Sequence, residues 1–75
     1  NEDELLKLLT ENLKLLDENL KLLRENLSLL RQANNITDKN RIREIVKQSK
    51  EIVKQSREIL KQSKEIVERI KYIVS

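Results

Sequence analysis

The side chains with the most chemistry to offer in this chain are carboxamides. Asn12, Asn19 and Asn26 recur every seven residues inside one leucine-rich run, "ENLKLLDENLKLLRENL". The later half repeats a second polar set at the same period, with Gln48 and Ser49, Gln55 and Ser56, and Gln62 and Ser63. Neutral amides and lone hydroxyls supply no general base and no activated nucleophile. They also make no cage of oxygens for a hard cation. The expectation is no enzyme, no catalytic or metal-ligating residue, no cofactor and no small-molecule substrate. Hydrogen bonding is what these groups do well, and a carboxamide brings one carbonyl acceptor and two N–H donors to it.

Those residues sit in two heptad repeats. With Leu9 as position a, the first repeat places Leu9, Leu16, Leu23 and Leu30 at a, and Leu5, Asn12, Asn19, Asn26 and Ala33 at d. Leu6, Leu13, Leu20 and Leu27 are then e, and Leu8, Leu15, Leu22 and Leu29 are g. In the second repeat, "EIVKQSK", position a holds Ile42, Ser49, Ser56, Ser63 and Ile70. Position d holds Ile45, Ile52, Ile59, Ile66 and Ile73; position e holds Val46, Val53, Leu60, Val67 and Val74. The g row is Arg41, Gln48, Gln55, Gln62 and Arg69. A sustained seven-residue period without two-residue alternation predicts helix in both halves, despite the β-branched side chains of the second.

The only punctuation is "NNITD" at 34–38. The predicted elements are a helix over about 2–34, a turn over about 35–37 and a helix over about 38–74. Asn1 with Glu4 reads as a capping box. Asn34 or Asn35 is expected to close the first helix in the left-handed conformation, and Thr37 or Asp38 to cap the second. A connection this short makes the helices antiparallel neighbours, so the fold class is all-α: a single helical hairpin.

In an antiparallel hairpin, residues at equal height have a constant sum of positions. Pairing the d row of the first helix with the a row of the second gives 75 throughout. Asn12 then faces Ser63, Asn19 faces Ser56, and Asn26 faces Ser49. At the ends Asn becomes Leu5 and Ala33 just where Ser becomes Ile70 and Ile42, and Gln becomes Arg. Polar residues thus appear on both helices together and disappear together. The expected hydrogen-bond network is Asn12, Asn19, Asn26, Gln48, Ser49, Gln55, Ser56, Gln62 and Ser63.

The leucine arc of the first helix, from g through e, spans about 160° at 100° per residue. One neighbouring helix does not cover that, so self-association is expected. The oligomer core would draw on Leu9, Leu13, Leu16, Leu20, Leu23, Leu27, Ile45, Ile52, Val53, Ile59, Leu60 and Ile66. Single-faced helices lead to the expectation of a ring of about six hairpins around a central water-filled pore, with a four-helix homodimer without a lumen as the alternative. In the ring the second helix lies inside, and Lys47, Glu51, Lys54, Glu58, Lys61 and Glu65 line the lumen.

Composition narrows the partners. The chain has 75 residues and no Cys, His, Trp, Phe, Met, Gly or Pro, so neither a disulfide nor a thiolate metal site is available. No run of apolar residues approaches the roughly 20 needed to cross a bilayer, and no targeting segment is visible. A soluble protein is expected, cytoplasmic in an expression host and without membrane contact. Net charge is +3, concentrated in the second half. Glu interspersed among the basic residues argues for a solvated face, and without aromatic stacking residues nucleic-acid binding is not expected. Binding of polyanions or membrane surfaces through the basic helix is the weakest of the readings.

The near-perfect heptads, the short "NNITD" link and the matched Asn, Ser and Gln layers resemble de novo designed helical hairpins that form homo-oligomeric bundles with buried hydrogen-bond networks. The likeness extends over the whole chain. Some members of that class form two concentric rings of helices around a pore. The resemblance implies that the Asn, Ser and Gln rows are network residues and that the partner is the protein itself. Such designs often confine polar networks to one or two layers, whereas this chain has three.

Overall fold

The computed structural model describes all 75 residues as two helices, α1 (Glu2–Asn34) and α2 (Lys39–Val74), folded back on each other as an antiparallel hairpin. The molecule is a rod of 56 × 14 × 13 Å. Its length is what 36 residues at about 1.5 Å rise require, so the helices run straight alongside each other from end to end.

Each helix start carries a side-chain N-cap, although at α1 the expected capping box is incomplete. Asn1 Oδ1 accepts from the Glu4 N–H at 3.0 Å, which is one half of a capping box; the Glu4 carboxylate makes no return bond. Glu2, Asp3 and Glu4 fill the first turn of α1, where negative charge meets the positive end of the helix dipole. At α2 the cap is Asp38 rather than Thr37: its carboxylate accepts from the Asn40 N–H at 2.9 Å.

The end of α1 departs from expectation. No residue in the chain has positive φ, so neither Asn34 nor Asn35 takes the left-handed conformation. Asn35 sits at φ −104°, ψ 6° instead. The Asn35 N–H donates to the Gln32 carbonyl and the Ile36 N–H to the Ala33 carbonyl, both at 3.2 Å. Tightening the last turn to three-residue bonds satisfies these two carbonyls without αL geometry, which costs about 1–2 kcal/mol in a residue with a Cβ. Ile36 tucks partly under the turn while its neighbours stay exposed.

The seam between the helices has two parallel lines. One is apolar: Leu8, Leu15, Leu22 and Leu29 of α1 stand level with Ile66, Ile59, Ile52 and Ile45 of α2, all buried or half-buried. The other is polar, where the Asn row meets the Ser row. Leu8, Ile45 and Ile66 are the only buried apolar residues, and none is wholly removed from solvent. Replacing Asp38 with Ala is expected to lower stability by about 1 kcal/mol, read as a shifted urea midpoint at fixed protein concentration, with helix content before the transition unchanged.

Candidate functional site: an open leucine face beside a polar seam

All three expected Asn–Ser pairs form. The Ser49 hydroxyl donates to Asn26 Oδ1, Ser56 to Asn19 Oδ1, and Ser63 to Asn12 Oδ1. They span 23, 37 and 51 residues of chain, so a single register holds along the hairpin. Ser56 and Ser63 are buried, and Ser49 and the three Asn are half-buried. A serine hydroxyl fits this place because it is small enough to let the helices approach. An asparagine reaches across from the wider side. Neither residue favours a helix interior, so tertiary pairing is what makes them suitable here.

The pairing uses only part of what each carboxamide has. The oxygen of Asn12, Asn19 and Asn26 accepts from Ser, while the two N–H donors on each Nδ2 have no partner within the hairpin. No unpartnered side-chain polar atom is sealed from solvent. The remaining donors therefore stay accessible at the edge of the seam.

Gln48, Gln55 and Gln62 were expected in the same network, and within the chain they do not join it. All three are exposed and make no hydrogen bond. They line shallow grooves on the other side of the seam. Gln48 and Gln55 sit with Glu25, Leu29, Glu51 and Ile52, and Gln62 with Glu11, Leu15, Glu18 and Ile66. Position g of an antiparallel partner lies on the side of its a–d seam away from e, which separates the Gln row from the Asn row.

On the Asn side, the α1 leucines at a and e lie open. Leu13 is 68% exposed, Leu6 65%, and even the most covered of the set, Leu16, 42%. Val46, Val53, Leu60, Val67 and Val74 of α2 are exposed as well. Rotation places these rows together. The a and e rows of α1 lie about 110° round the helix from its contact with α2, and the e row of α2 about 70° round from its contact with α1. Because the helices run in opposite directions, both rotations end on the same side of the hairpin. The result is an apolar face along the rod, with the Asn–Ser line running between its α1 and α2 rows. Soluble monomers rarely expose a contiguous apolar patch beyond a few hundred Å².

Against the residues expected in an oligomer core, Leu9, Leu13, Leu16, Leu20, Leu23, Leu27, Val53 and Leu60 are on this open face. Ile45, Ile52, Ile59 and Ile66 are used inside the hairpin instead, against Leu29, Leu22, Leu15 and Leu8. Sequence reasoning had the g row leucines in the apolar arc without singling them out as the intrachain core. Their positions and those of the Ile row add to 74 at every level, one short of the Asn–Ser pairs, so the same antiparallel register sets the two rows together. Leu6, Leu30, Val46 and Val67 extend the open face beyond the expected set.

Lys47, Glu51, Lys54, Glu58, Lys61 and Glu65 are all exposed on α2, away from the apolar face. Charged groups contribute little to holding the helices together. The two ion pairs, Lys21–Asp17 in α1 and Lys71–Glu68 in α2, each lie within a single helix, 3.5 Å long and exposed, a class worth about 0–1 kcal/mol. No cluster of acidic, His or Cys side chains is arranged to hold a metal ion, and no helix is long and apolar enough to cross a membrane.

The seam gives a test of unequal deletions. Ser56→Ala leaves the Asn19 carbonyl without its donor and is expected to destabilise by about 1–3 kcal/mol. Removing both groups in Asn19→Leu/Ser56→Ala should cost less than the single change, because no polar group is orphaned. A double-mutant cycle by chemical denaturation measures the difference. Searches against protein families, curated proteins and solved structures find no match to this chain.

Proposed function

We propose that this chain is a designed, self-assembling structural module whose activity is to form one specific homo-oligomer. The observation that carries the reading is the continuous leucine face lying beside three half-satisfied carboxamides. A second hairpin laid on that face removes the leucines from water at about 25 cal/mol per Å². It also surrounds the Asn rows, and polar groups at such a place favour the arrangement in which all of them find partners.

A closed dimer of hairpins, four helices in all, suits this geometry best. The apolar surface is one face rather than two, and a single face that mates with its own copy closes an isologous contact. A rod 56 Å long and 14 Å across offers about 800 Å² on that face, which is what each partner buries in a stable complex of standard size. A ring of about six hairpins around a pore asks more of the inner helix, which needs apolar rows on both flanks. The flank opposite the leucines carries Glu11, Glu18, Glu25 and the Gln row, all of them polar.

Light scattering measures the mass directly. The dimer predicts about twice 8.9 kDa, and the ring about six times. Leu13→Glu/Leu20→Glu, on the open face, is expected to leave a single chain at concentrations where the parent is assembled. A parent that runs as one chain at high concentration overturns the reading. Replacing Asn12, Asn19 and Asn26 together with Leu tests specificity. The variant should stay helical and become more resistant to denaturant, but show several oligomeric sizes. A triple variant monodisperse at the parent's size would remove the specificity role from the Asn rows.

A further inference from the structure

Resting on that assembly reading, we infer that Asn12, Asn19 and Asn26 each pair with the same residue of a second copy, across a two-fold axis parallel to the helices. The three carboxamides then face two ways: the carbonyl holds the hairpin's own Ser, and the amide joins the chains.

Three observations lead there. The first is chemical. Each Asn Oδ1 accepts one hydroxyl and each Nδ2 donates nothing within the hairpin. A carboxamide oxygen has a second lone pair. Two such groups brought together can therefore exchange N–H···O bonds without releasing Ser.

The second is angular. The open rows stand about 110° from the contact on α1 and about 70° from the contact on α2, and they point the same way. These angles are those of a parallelogram. A copy turned by 180° about an axis parallel to the helices lays its α2 on this α1, and its α1 on this α2, with both apolar faces opposed. A two-fold perpendicular to the helices would set α1 on α1 and leave the tilted faces mismatched. In the parallelogram the two α1 helices occupy the obtuse corners and approach across the short diagonal. The rows that look along that diagonal are the Asn row and its neighbour, Leu9, Leu16 and Leu23.

The third is height. A two-fold parallel to the helices keeps every residue at its own level, so Asn12 meets Asn12, Asn19 meets Asn19, and Asn26 meets Asn26. The occupant of the face is therefore a second copy in this one orientation, and the area of about 800 Å² is enough to hold it.

The chain has no native cysteine, which permits a clean test. Asn12→Cys, Asn19→Cys and Asn26→Cys are made singly, assembled, and treated with a short bifunctional thiol cross-linker. All three are expected to give a covalent dimer in high yield. If only Asn19→Cys cross-links, the copies run antiparallel about the middle layer and the pairing is wrong. The unaltered protein gives an independent readout by NMR. Side-chain N–H₂ protons of Asn12, Asn19 and Asn26 should exchange at least about 100-fold more slowly than those of the exposed Asn34, Asn35 and Asn40, as buried and bonded amides do. Equal exchange overturns the pairing even where the mass is that of a dimer. A parent protein that never assembles instead overturns the assembly reading on which this inference rests.

Discussion

A buried carboxamide has more hydrogen-bonding capacity than one hydroxyl absorbs, and this imbalance shapes the molecule. Asn12, Asn19 and Asn26 each take one bond from α2 through Ser63, Ser56 and Ser49. Their N–H donors must meet water or another chain, because leaving a donor unpaired in an apolar setting costs about 1–3 kcal/mol. The row therefore belongs at an edge, between the sealed Leu–Ile line and the open leucines. The structure puts it there. In a fully buried seam these residues would weaken the hairpin; on a fully exposed surface they would have no influence on which helices pair.

The leucine arc of α1 completes that logic. Its g row is consumed by the hairpin and its a and e rows are left over, because α2 subtends only part of an arc about 160° wide. On α2 the apolar rows are fewer and Ser occupies the middle of them, so α2 covers its neighbour with Ile and keeps only its e row outward. Polar seam and open face are thus consequences of the same angular arrangement. The Asn rows sit where a second hairpin would close over them, and the Gln rows sit where it would not reach.

Much of this was legible in the sequence because a heptad repeat fixes both angle and height. The period establishes the helices, and the constant sum of 75 places each Asn opposite the Ser it bonds. Two features were not legible, each for a definite reason. Gln55 shares its heptad with Ser56 and looks like a network member by composition. Position g, however, lies on the side of the a–d seam away from e, so with Ser56 turned to Asn19 the Gln55 side chain falls on the opposite flank, which composition does not reveal. The end of α1 is not legible because Asn34 and Asn35 favour left-handed geometry intrinsically. The closure here instead uses three-residue bonds to the Gln32 and Ala33 carbonyls, and local backbone hydrogen bonding outweighed the residue preference.

The ends of the repeats solve a problem that the identical middle creates. Three equal layers spaced by seven residues let a partner helix slide one heptad and still form two Asn–Ser pairs. Sliding α2 in one direction would set Asn12 against Ile70 and Ser49 against Ala33; sliding it in the other would set Asn26 against Ile42 and Ser63 against Leu5. Either slip orphans a carboxamide and a hydroxyl together, and each orphan costs about 1–3 kcal/mol. Within one chain the short turn already forbids such a slip. Between chains nothing covalent does, and the uniform leucine rows would tolerate it with little loss of buried area. In an assembly of hairpins, register would then come from Leu5 and Ala33, which end the Asn row in apolar residues. Polar layers bounded by apolar ends would therefore select one register out of several that the leucines alone would accept.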